Sequence, residues 1–157
     1  MSADLLRRGA DGPILIVEDS DEDYAALEWA LRKLEIAHRT VRCTDGEDAM
    51  DYLYHRGAHA PPAPSPRPAL VLLDLNLATA DGCEILEEIK ADPALKPIPT
   101  VVWTTSADPG DVDRCYRGGA NSYLLKPVDM GTFLEEVEAL TRYWFEVALL
   151  PGGAGRA

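Results

Sequence analysis

The segment Ala69-Leu70-Val71-Leu72-Leu73-Asp74 indicates the fold class, because it is a continuous apolar run that ends on a carboxylate. Short runs that are apolar at every position are typical of parallel strands buried on both faces. Three other runs also end on polar groups: Ile14-Leu15-Ile16-Val17 before Glu18-Asp19, Thr100-Val101-Val102-Trp103 before Thr104, and Tyr123-Leu124-Leu125 before Lys126. The carboxyl ends of parallel strands share one edge of a sheet, where open α/β proteins bind ligands. The sequence therefore predicts a cluster of three carboxylates, a hydroxyl and a lysine.

Helical patterns alternate with these runs. After the first run, apolar residues recur at helical spacing, at Ala26, Leu27, Ala30, Leu31 and Leu34. A further strand is predicted at about residues 39–43. Five strands alternating with five helices predict an α/β fold, a five-stranded parallel doubly wound sheet flanked by five helices. We divide the chain into a flexible leader (1–12), one folded domain (13–150) and a flexible tail (151–157).

Composition narrows the function. The net charge of −12 disfavours nucleic acid and anionic membranes as partners. Cys43, Cys83 and Cys115 are dispersed, which argues against a disulfide framework and a zinc site and suits a reducing compartment. The N-terminus lacks the apolar segment of a signal peptide, and no stretch approaches the roughly 20 apolar residues of a membrane span. We therefore expect a cytoplasmic protein with no membrane partner.

A Pro-rich segment interrupts the pattern. Residues 55–68 contain five prolines, which exclude a helix interior or a central strand there. We predict an exposed loop, with residues 57–68 as its Pro-rich part, that folding does not require. His55 and His59 would suit a metal pair on a helix. Gly57 and the prolines that follow disfavour a helix there, so both side chains are expected in solvent.

The predicted edge cluster suits one divalent cation and one phosphoryl group. Glu18, Asp19 and Asp74 would repel one another unless a cation neutralises them, and oxygen-only ligands favour Mg²⁺. Thr104 could donate its hydroxyl to a phosphoryl oxygen. A cis peptide before Pro127 would aim the Lys126 ammonium back over the edge. Taken singly, each of these groups could instead be an ordinary solvated or strand residue.

The segments Ile14-Leu15-Ile16-Val17-Glu18-Asp19-Ser20, Val71-Leu72-Leu73-Asp74-Leu75-Asn76, Val101-Val102-Trp103-Thr104-Thr105-Ser106 and Tyr123-Leu124-Leu125-Lys126-Pro127 resemble the receiver domain of two-component response regulators, which has a flavodoxin-like fold. The likeness covers residues 14–150. Three further features resemble the stand-alone regulators of bacterial phytochrome histidine kinases: the Pro-rich segment, Thr104-Thr105-Ser106, and Tyr143-Trp144-Phe145-Glu146 ending in Leu149-Leu150-Pro151.

The resemblance implies a role for each acid of the cluster. Asp74 would be the phospho-acceptor. Asp19 and Asp74 would ligate Mg²⁺ together with the backbone carbonyl of Asn76, while Glu18 would act through a metal-bound water. Glu18 stands where many receivers have aspartate, so its direct ligation of the metal is in doubt although the charge is preserved.

The resemblance also implies a function. Thr104 and Lys126 would hold the phosphoryl oxygens, and Tyr123 would move with Thr104 in a switch. The chain would be a single-domain response regulator, without an output domain, that accepts a phosphoryl group from a bacteriophytochrome-type histidine kinase and loses it by self-catalysed hydrolysis. A non-phosphorylated pseudo-receiver is the open alternative.

Two other functions fit the sequence poorly. A haloacid-dehalogenase-type phosphatase would need an aspartate in place of Asn76, and a flavodoxin would not place acids after its first strand.

The final helix suggests assembly. Its stripe of Phe133, Val137, Leu140, Trp144 and Val147 is sufficient to cover the sheet. A second apolar set lies outside that stripe: Leu134, Phe145, Leu149 and Leu150. Contiguous apolar surface usually marks an interface, so we predict a two-fold homodimer through the C-terminal helix. The alternative is that this end folds back onto its own domain.

Overall fold

The computed structural model describes residues 11–151, so most of the predicted leader and tail lies outside the described residues. Its centre is a parallel sheet of order β2-β1-β3-β4-β5. The strands are β1 (Ile14–Val17), β2 (Thr40–Cys43), β3 (Leu70–Leu73), β4 (Thr100–Thr104) and β5 (Ser122–Leu125). The helices are α1 (Asp21–Lys33), α2 (Gly46–Tyr54), α3 (Gly82–Ala91), α4 (Pro109–Arg117) and α5 (Met130–Arg142). The predicted fold class is confirmed.

Both faces of the sheet are covered, which explains the continuous apolar runs. Along β1, Leu15 and Val17 pack into the core beneath α2 and α3, while Ile14 and Ile16 pack into the core beneath α1 and α5. Because a strand alternates its side chains between two buried faces, every position has to be apolar. Within the described part of the chain, no helix has the length and apolar character needed to cross a bilayer.

Each helix begins at a side chain that caps it. The capping residues accept a hydrogen bond from a backbone N–H of the first turn, and they are Ser20, Asp45, Asp81, Asp108 and Asp129. Such caps typically stabilise a helix by about 1 kcal/mol. Since all five lie shortly after strand ends, they determine where each helix leaves the edge that carries the polar cluster.

The Pro-rich segment is exposed or half-buried at most of its positions, as predicted, but two of its residues are buried in the domain. Ser65 and Pro68 are buried, and the Tyr52 hydroxyl donates a 2.6 Å hydrogen bond to the carbonyl of Pro66. His55 Nδ1 lies 2.8 Å from Ser65 Oγ. Polar side chains at the end of α2 therefore bind the segment to the domain, an arrangement that its lack of apolar periodicity does not predict.

The predicted stripe of the final helix is wrong in its last turn. The α-helix ends at Arg142 and continues as one π-helical turn, Tyr143–Val147, after which Ala148 is extended. A π-turn has more residues per turn than an α-helix, so the residues after it change face. Phe145 is buried, whereas Val147, assigned to the buried stripe, is 66% exposed.

The end of the chain partly folds back onto its own domain. The Phe145 ring stacks on His38, with the ring centroids 3.7 Å apart, and Leu150 is buried as well. Leu149, by contrast, is 69% exposed. Only part of the second apolar set is therefore available for an interface.

Candidate functional site

The carboxylates that follow β1 and β3 lie together at the switch point of the sheet. Val17 is in register with Leu73, and the Asp74 N–H donates a 3.0 Å hydrogen bond to the Val17 carbonyl. One carboxylate oxygen from each of Glu18, Asp19 and Asp74 lies within 4.8 Å of the other two. Strand order reverses at β1, which is where open α/β sheets leave a crevice.

Lys126 is the cation of this cluster. Its Nζ donates hydrogen bonds to Glu18 Oε1 at 2.5 Å, to Asp23 Oδ2 at 2.7 Å and to Asp74 Oδ2 at 3.0 Å. The same Nζ lies 4.8 Å from the centroid of the Trp103 ring, within the range of a cation–π interaction. One ammonium group therefore has three carboxylate partners and an aromatic neighbour.

The orientation of the Lys126 side chain does not depend on a cis peptide, so the suggested cis bond before Pro127 is wrong. Among the described residues the cis peptide is Pro61-Pro62, and the bond before Pro127 is trans. The Lys126 N–H donates a 2.8 Å hydrogen bond to the Thr104 carbonyl, which extends the β4–β5 ladder by one residue. This extension of the ladder holds the lysine backbone at the end of the sheet.

Burial dominates the electrostatics of Glu18. The residue is fully buried, and this loss of solvent, reinforced by the charge of Asp74, raises its pKa to about 7 although Lys126 opposes the shift. Burial also acts to lower the pKa of Lys126, but its hydrogen bonds to Asp23, Glu18 and Asp74 outweigh that effect and raise it. The ammonium therefore stays charged.

Asn76 connects Asp74 to Thr104. The Asn76 N–H donates a 3.2 Å hydrogen bond to Asp74 Oδ1, and its side-chain Nδ2 donates to Thr104 Oγ1 at 3.3 Å. Thr104 is fully buried, and the Tyr123 hydroxyl donates to the Ser106 carbonyl at 2.7 Å. Sequence reasoning assigned Asn76 a role for its backbone carbonyl alone, whereas its side chain also contacts Thr104.

The loop after β3 is packed against the acids. A Cβ atom on Gly82 would lie 2.3 Å from the Asp74 carbonyl oxygen and 2.6 Å from Leu75 Cα, so only glycine fits. Asp19 Oδ2 accepts a 2.7 Å hydrogen bond from the Ala78 N–H. These contacts hold the start of α3 directly against the backbone of Asp74.

Asp23 is the functional residue that sequence reasoning missed. It lies in the first turn of α1 within an acidic stretch that could equally be solvated. Its N–H donates a 3.2 Å hydrogen bond to Ser20 Oγ, which caps α1, and its carboxylate accepts a hydrogen bond from Lys126. The Ser20-Asp21-Glu22-Asp23 spacing indicates the start of a helix but not a contact between Asp23 and Lys126.

The fold and the site define a class, namely an α/β receiver whose acidic edge faces a lysine. The sequence profile of the response regulator receiver domain matches residues 14–138. The chain therefore belongs to the family of response regulator receiver domains.

Individual relatives agree with this assignment. Response regulator Rcp1 of Synechocystis sp. is 41% identical over 138 residues, which cover 88% of this chain and 92% of the relative. The crystal structure of the Mn²⁺-bound form of Rcp1 has a TM-score of 0.82 at 40% identity and covers 90% of this chain and 99% of that one. The phosphorylated cyanobacterial phytochrome response regulator RcpA also has a TM-score of 0.82, at 38% identity, with the same coverage.

Family membership gives the chain its general function. It is a signalling receiver of two-component systems, a class that works with histidine kinases and binds a divalent cation. The cluster of Glu18, Asp19 and Asp74 fits such a cation. Nothing in these similarities favours the non-phosphorylated pseudo-receiver.

Proposed function

We propose that Asp74 accepts a phosphoryl group from a phosphohistidine of a phytochrome-type histidine kinase, in a reaction that requires Mg²⁺. The observation that carries the proposal is the position of Asp74. It lies between two other acids and Lys126, with one oxygen 3.0 Å from the ammonium. The phosphorylated form of RcpA and the Mn²⁺-bound form of Rcp1 support it.

The residues present fit a hard divalent cation. Their donors are carboxylate oxygens, which a hard divalent cation prefers. Burial, followed by the charge of Asp74, raises the pKa of Glu18, and the positive charge of a cation would favour its ionised form. Asp19, Asp74 and the backbone carbonyl of Asn76 would hold Mg²⁺, with Glu18 acting through a water. When bound, the ion would supply positive charge to the transferred group.

The protein's own contribution to transfer is position and charge. The Asp74 carboxylate forms a bond to phosphorus as the phosphorus–nitrogen bond breaks, and the electron pair of that bond stays on the imidazole nitrogen of the kinase. Lys126 stabilises the phosphoryl oxygens. The resulting mixed anhydride is open to water, which returns the Asp74 carboxylate and inorganic phosphate without a further enzyme.

The path from Asp74 to Thr104 suggests how the state of the site is transmitted. The Thr104 hydroxyl, which now accepts a hydrogen bond from Asn76, would donate instead to a phosphoryl oxygen. Movement of Thr104 would open space for Tyr123, whose hydroxyl would leave the carbonyl of Ser106. The change would reach the surface formed by α4, β5 and α5.

A phosphotransfer assay tests the central assignment. Purified phytochrome-type kinases, autophosphorylated with labelled ATP, should label the wild-type chain in Mg²⁺ and not in EDTA. Asp74→Asn should abolish labelling, while Asp113→Asn, a change of an exposed acid on α4, should not. Labelled Asp74→Asn protein would contradict the proposal.

We also expect Asp19→Ala to weaken Mg²⁺ binding more than Glu18→Ala does.

We further propose a homodimer through the C-terminal helix. Large apolar or aromatic side chains are exposed at its end, namely Tyr143, Val147 and Leu149, and a partner would bury them. Val147→Asp combined with Leu149→Asp should give a folded monomer by light scattering, whereas the exposed control Ala58→Asp should stay dimeric. Phe145→Asp is unsuitable because Phe145 is buried against His38. A wild-type chain of monomer mass at micromolar concentration would refute the dimer.

A further inference from the structure

A second group of metal-type donors lies outside the acidic cluster. Ligand atoms of Cys43, Asp48 and His59 all lie within 4.8 Å of one another. They come from three segments: the end of β2, the first turn of α2, and the short 3-10 helix Gly57–His59 of the Pro-rich segment. None of the three residues belongs to the proposed phosphorylation site.

The carboxylate of Asp48 is the centre of this group. His59 Nε2 lies 2.8 Å from Asp48 Oδ1. Burial, followed by the nearby charge of Asp48, raises the pKa of the Cys43 thiol. Zinc–ligand bonds of about 2.0–2.3 Å place the donors of a tetrahedral site about 3.3–3.8 Å apart. Adjustments of about 1 Å would therefore complete the coordination.

We propose that Cys43, Asp48 and His59 form a Zn²⁺ site, with water as the fourth ligand. Sulfur and imidazole donors favour zinc, whereas the oxygen-only cluster around Asp74 favours magnesium. On binding, the Cys43 thiol releases its proton to solvent and forms a sulfur–zinc bond. One thiolate, one carboxylate and one neutral imidazole balance the charge of the ion, which suits a site whose sulfur is fully buried.

The donors are held in place and accessible. The Asp48 N–H donates a 2.7 Å hydrogen bond to Asp45 Oδ1, and Ser65 Oγ donates to the His59 carbonyl at 3.1 Å. The rings of His59 and Tyr52 pack in a T-shaped arrangement with their centroids 5.1 Å apart. The side chains of His59 and Asp48 are 21% and 37% exposed, so an ion can enter from solvent and reach the sulfur behind them.

A zinc ion here would fasten the Pro-rich segment to the domain. His59, expected in solvent from the sequence, would join that segment to β2 and α2. The spacing of the cysteines argued against a zinc site because it contains no local zinc motif. In the proposed site the three ligands come from three separate segments, so no such motif is needed. Without metal, the same residues form a hydrogen-bonded clamp between His59 and Asp48, and this is the competing explanation that the experiment has to separate.

Cobalt titration of the metal-free, reduced full chain separates the two explanations. A thiolate-to-cobalt charge-transfer band reports sulfur ligation, which the acidic cluster cannot produce. We expect saturation of this band at one Co²⁺ per chain and its loss on addition of Zn²⁺. Cys43→Ser should abolish the band, and the matched control Cys83→Ser, another buried cysteine, should retain it.

A histidine pair keeps the test valid if Cys43→Ser fails to fold. His59→Gln should weaken Zn²⁺ binding by more than the 10–100-fold that loss of an outer-shell partner costs. The control is His38→Gln, which changes a histidine that stacks on Phe145 and should leave the Zn²⁺ affinity unchanged. Zn²⁺ should raise the thermal midpoint of the wild type and not of His59→Gln, and phosphotransfer to Asp74 should persist in both. A wild type without the band, or a band that survives in folded His59→Gln at unchanged affinity, would overturn the site.

Discussion

Glu18→Gln should stabilise the metal-free protein, although it removes a partner of Lys126. Glutamine keeps the shape of the side chain and an oxygen that accepts from the ammonium, but it carries no charge. Each pKa unit corresponds to about 1.4 kcal/mol, so a rise from 4.5 to about 7 makes ionised Glu18 cost about 3 kcal/mol. Because Glu18 and Lys126 titrate together, we expect an observed gain of about 1–3 kcal/mol.

The sign of the pH dependence follows from the direction of the shift. Between the unfolded pKa of 4.5 and the folded pKa of about 7, the folded state binds more protons than the unfolded state, so the stability of the wild type falls as pH rises. Glutamine does not titrate. Wild type and Glu18→Gln should therefore be equally stable below about pH 4.5, and the variant should be the more stable above about pH 7.

Urea unfolding followed by tryptophan fluorescence, in EDTA and across this pH range, measures the difference. Glu47→Gln, a change of an exposed acid on α2, is the control and should show no such trend. Saturating Mg²⁺ should reduce or reverse the stability difference between the two proteins. Ligand binding stabilises the folded wild type, and the ion supplies positive charge beside the ionised Glu18. A metal-free wild type more stable than Glu18→Gln at about pH 8 would refute the reasoning, because the Lys126 contact would then outweigh burial.

Three further changes test other contacts. Gly82→Ala should destabilise the fold by about 3 kcal/mol and lower labelling of Asp74, because the added Cβ would collide with the backbone of Asp74 and Leu75. A variant with the same urea midpoint as the wild type would contradict this. Asp23→Asn should weaken Mg²⁺ binding about fivefold in a fluorescence titration, since it removes one partly exposed charge beside Lys126; unchanged affinity would contradict it. Tyr52→Phe should cost about 1 kcal/mol in urea unfolding, as it leaves a carbonyl of the Pro-rich segment unpaired, and no loss would mean that water replaces the hydroxyl.

The sheet and the central residues of its edge could be predicted because they depend on local patterns. Buried parallel strands need apolar residues at every position, so β1, β3 and β4 are visible in the sequence as continuous runs. The residues that follow such strands share one edge by topology alone. Asp74 and Lys126 could therefore be placed together although 52 residues separate them.

The features that were missed depend on side chains that reach across the fold. Asp23 matters because Lys126, 103 residues later, extends to it, and no local pattern distinguishes it from a solvated acid. The Pro-rich segment is held by Tyr52 and His55, which carry no apolar periodicity. The π-helical turn after Arg142 changes the face of Phe145, and helical spacing assumes that such a turn does not occur.

The contacts of Lys126 suggest a second reason why the proposed reaction would need a divalent cation. Its ammonium is shared by Glu18, Asp23 and Asp74, so its donors are directed at carboxylates rather than towards an incoming phosphoryl group. A divalent cation among Glu18, Asp19 and Asp74 would take over the neutralisation of these acids. Lys126 would then be free to turn its donors to the phosphoryl oxygens. In the proposed reaction the cation therefore acts on the acceptor in two ways, through its own charge and by releasing the lysine.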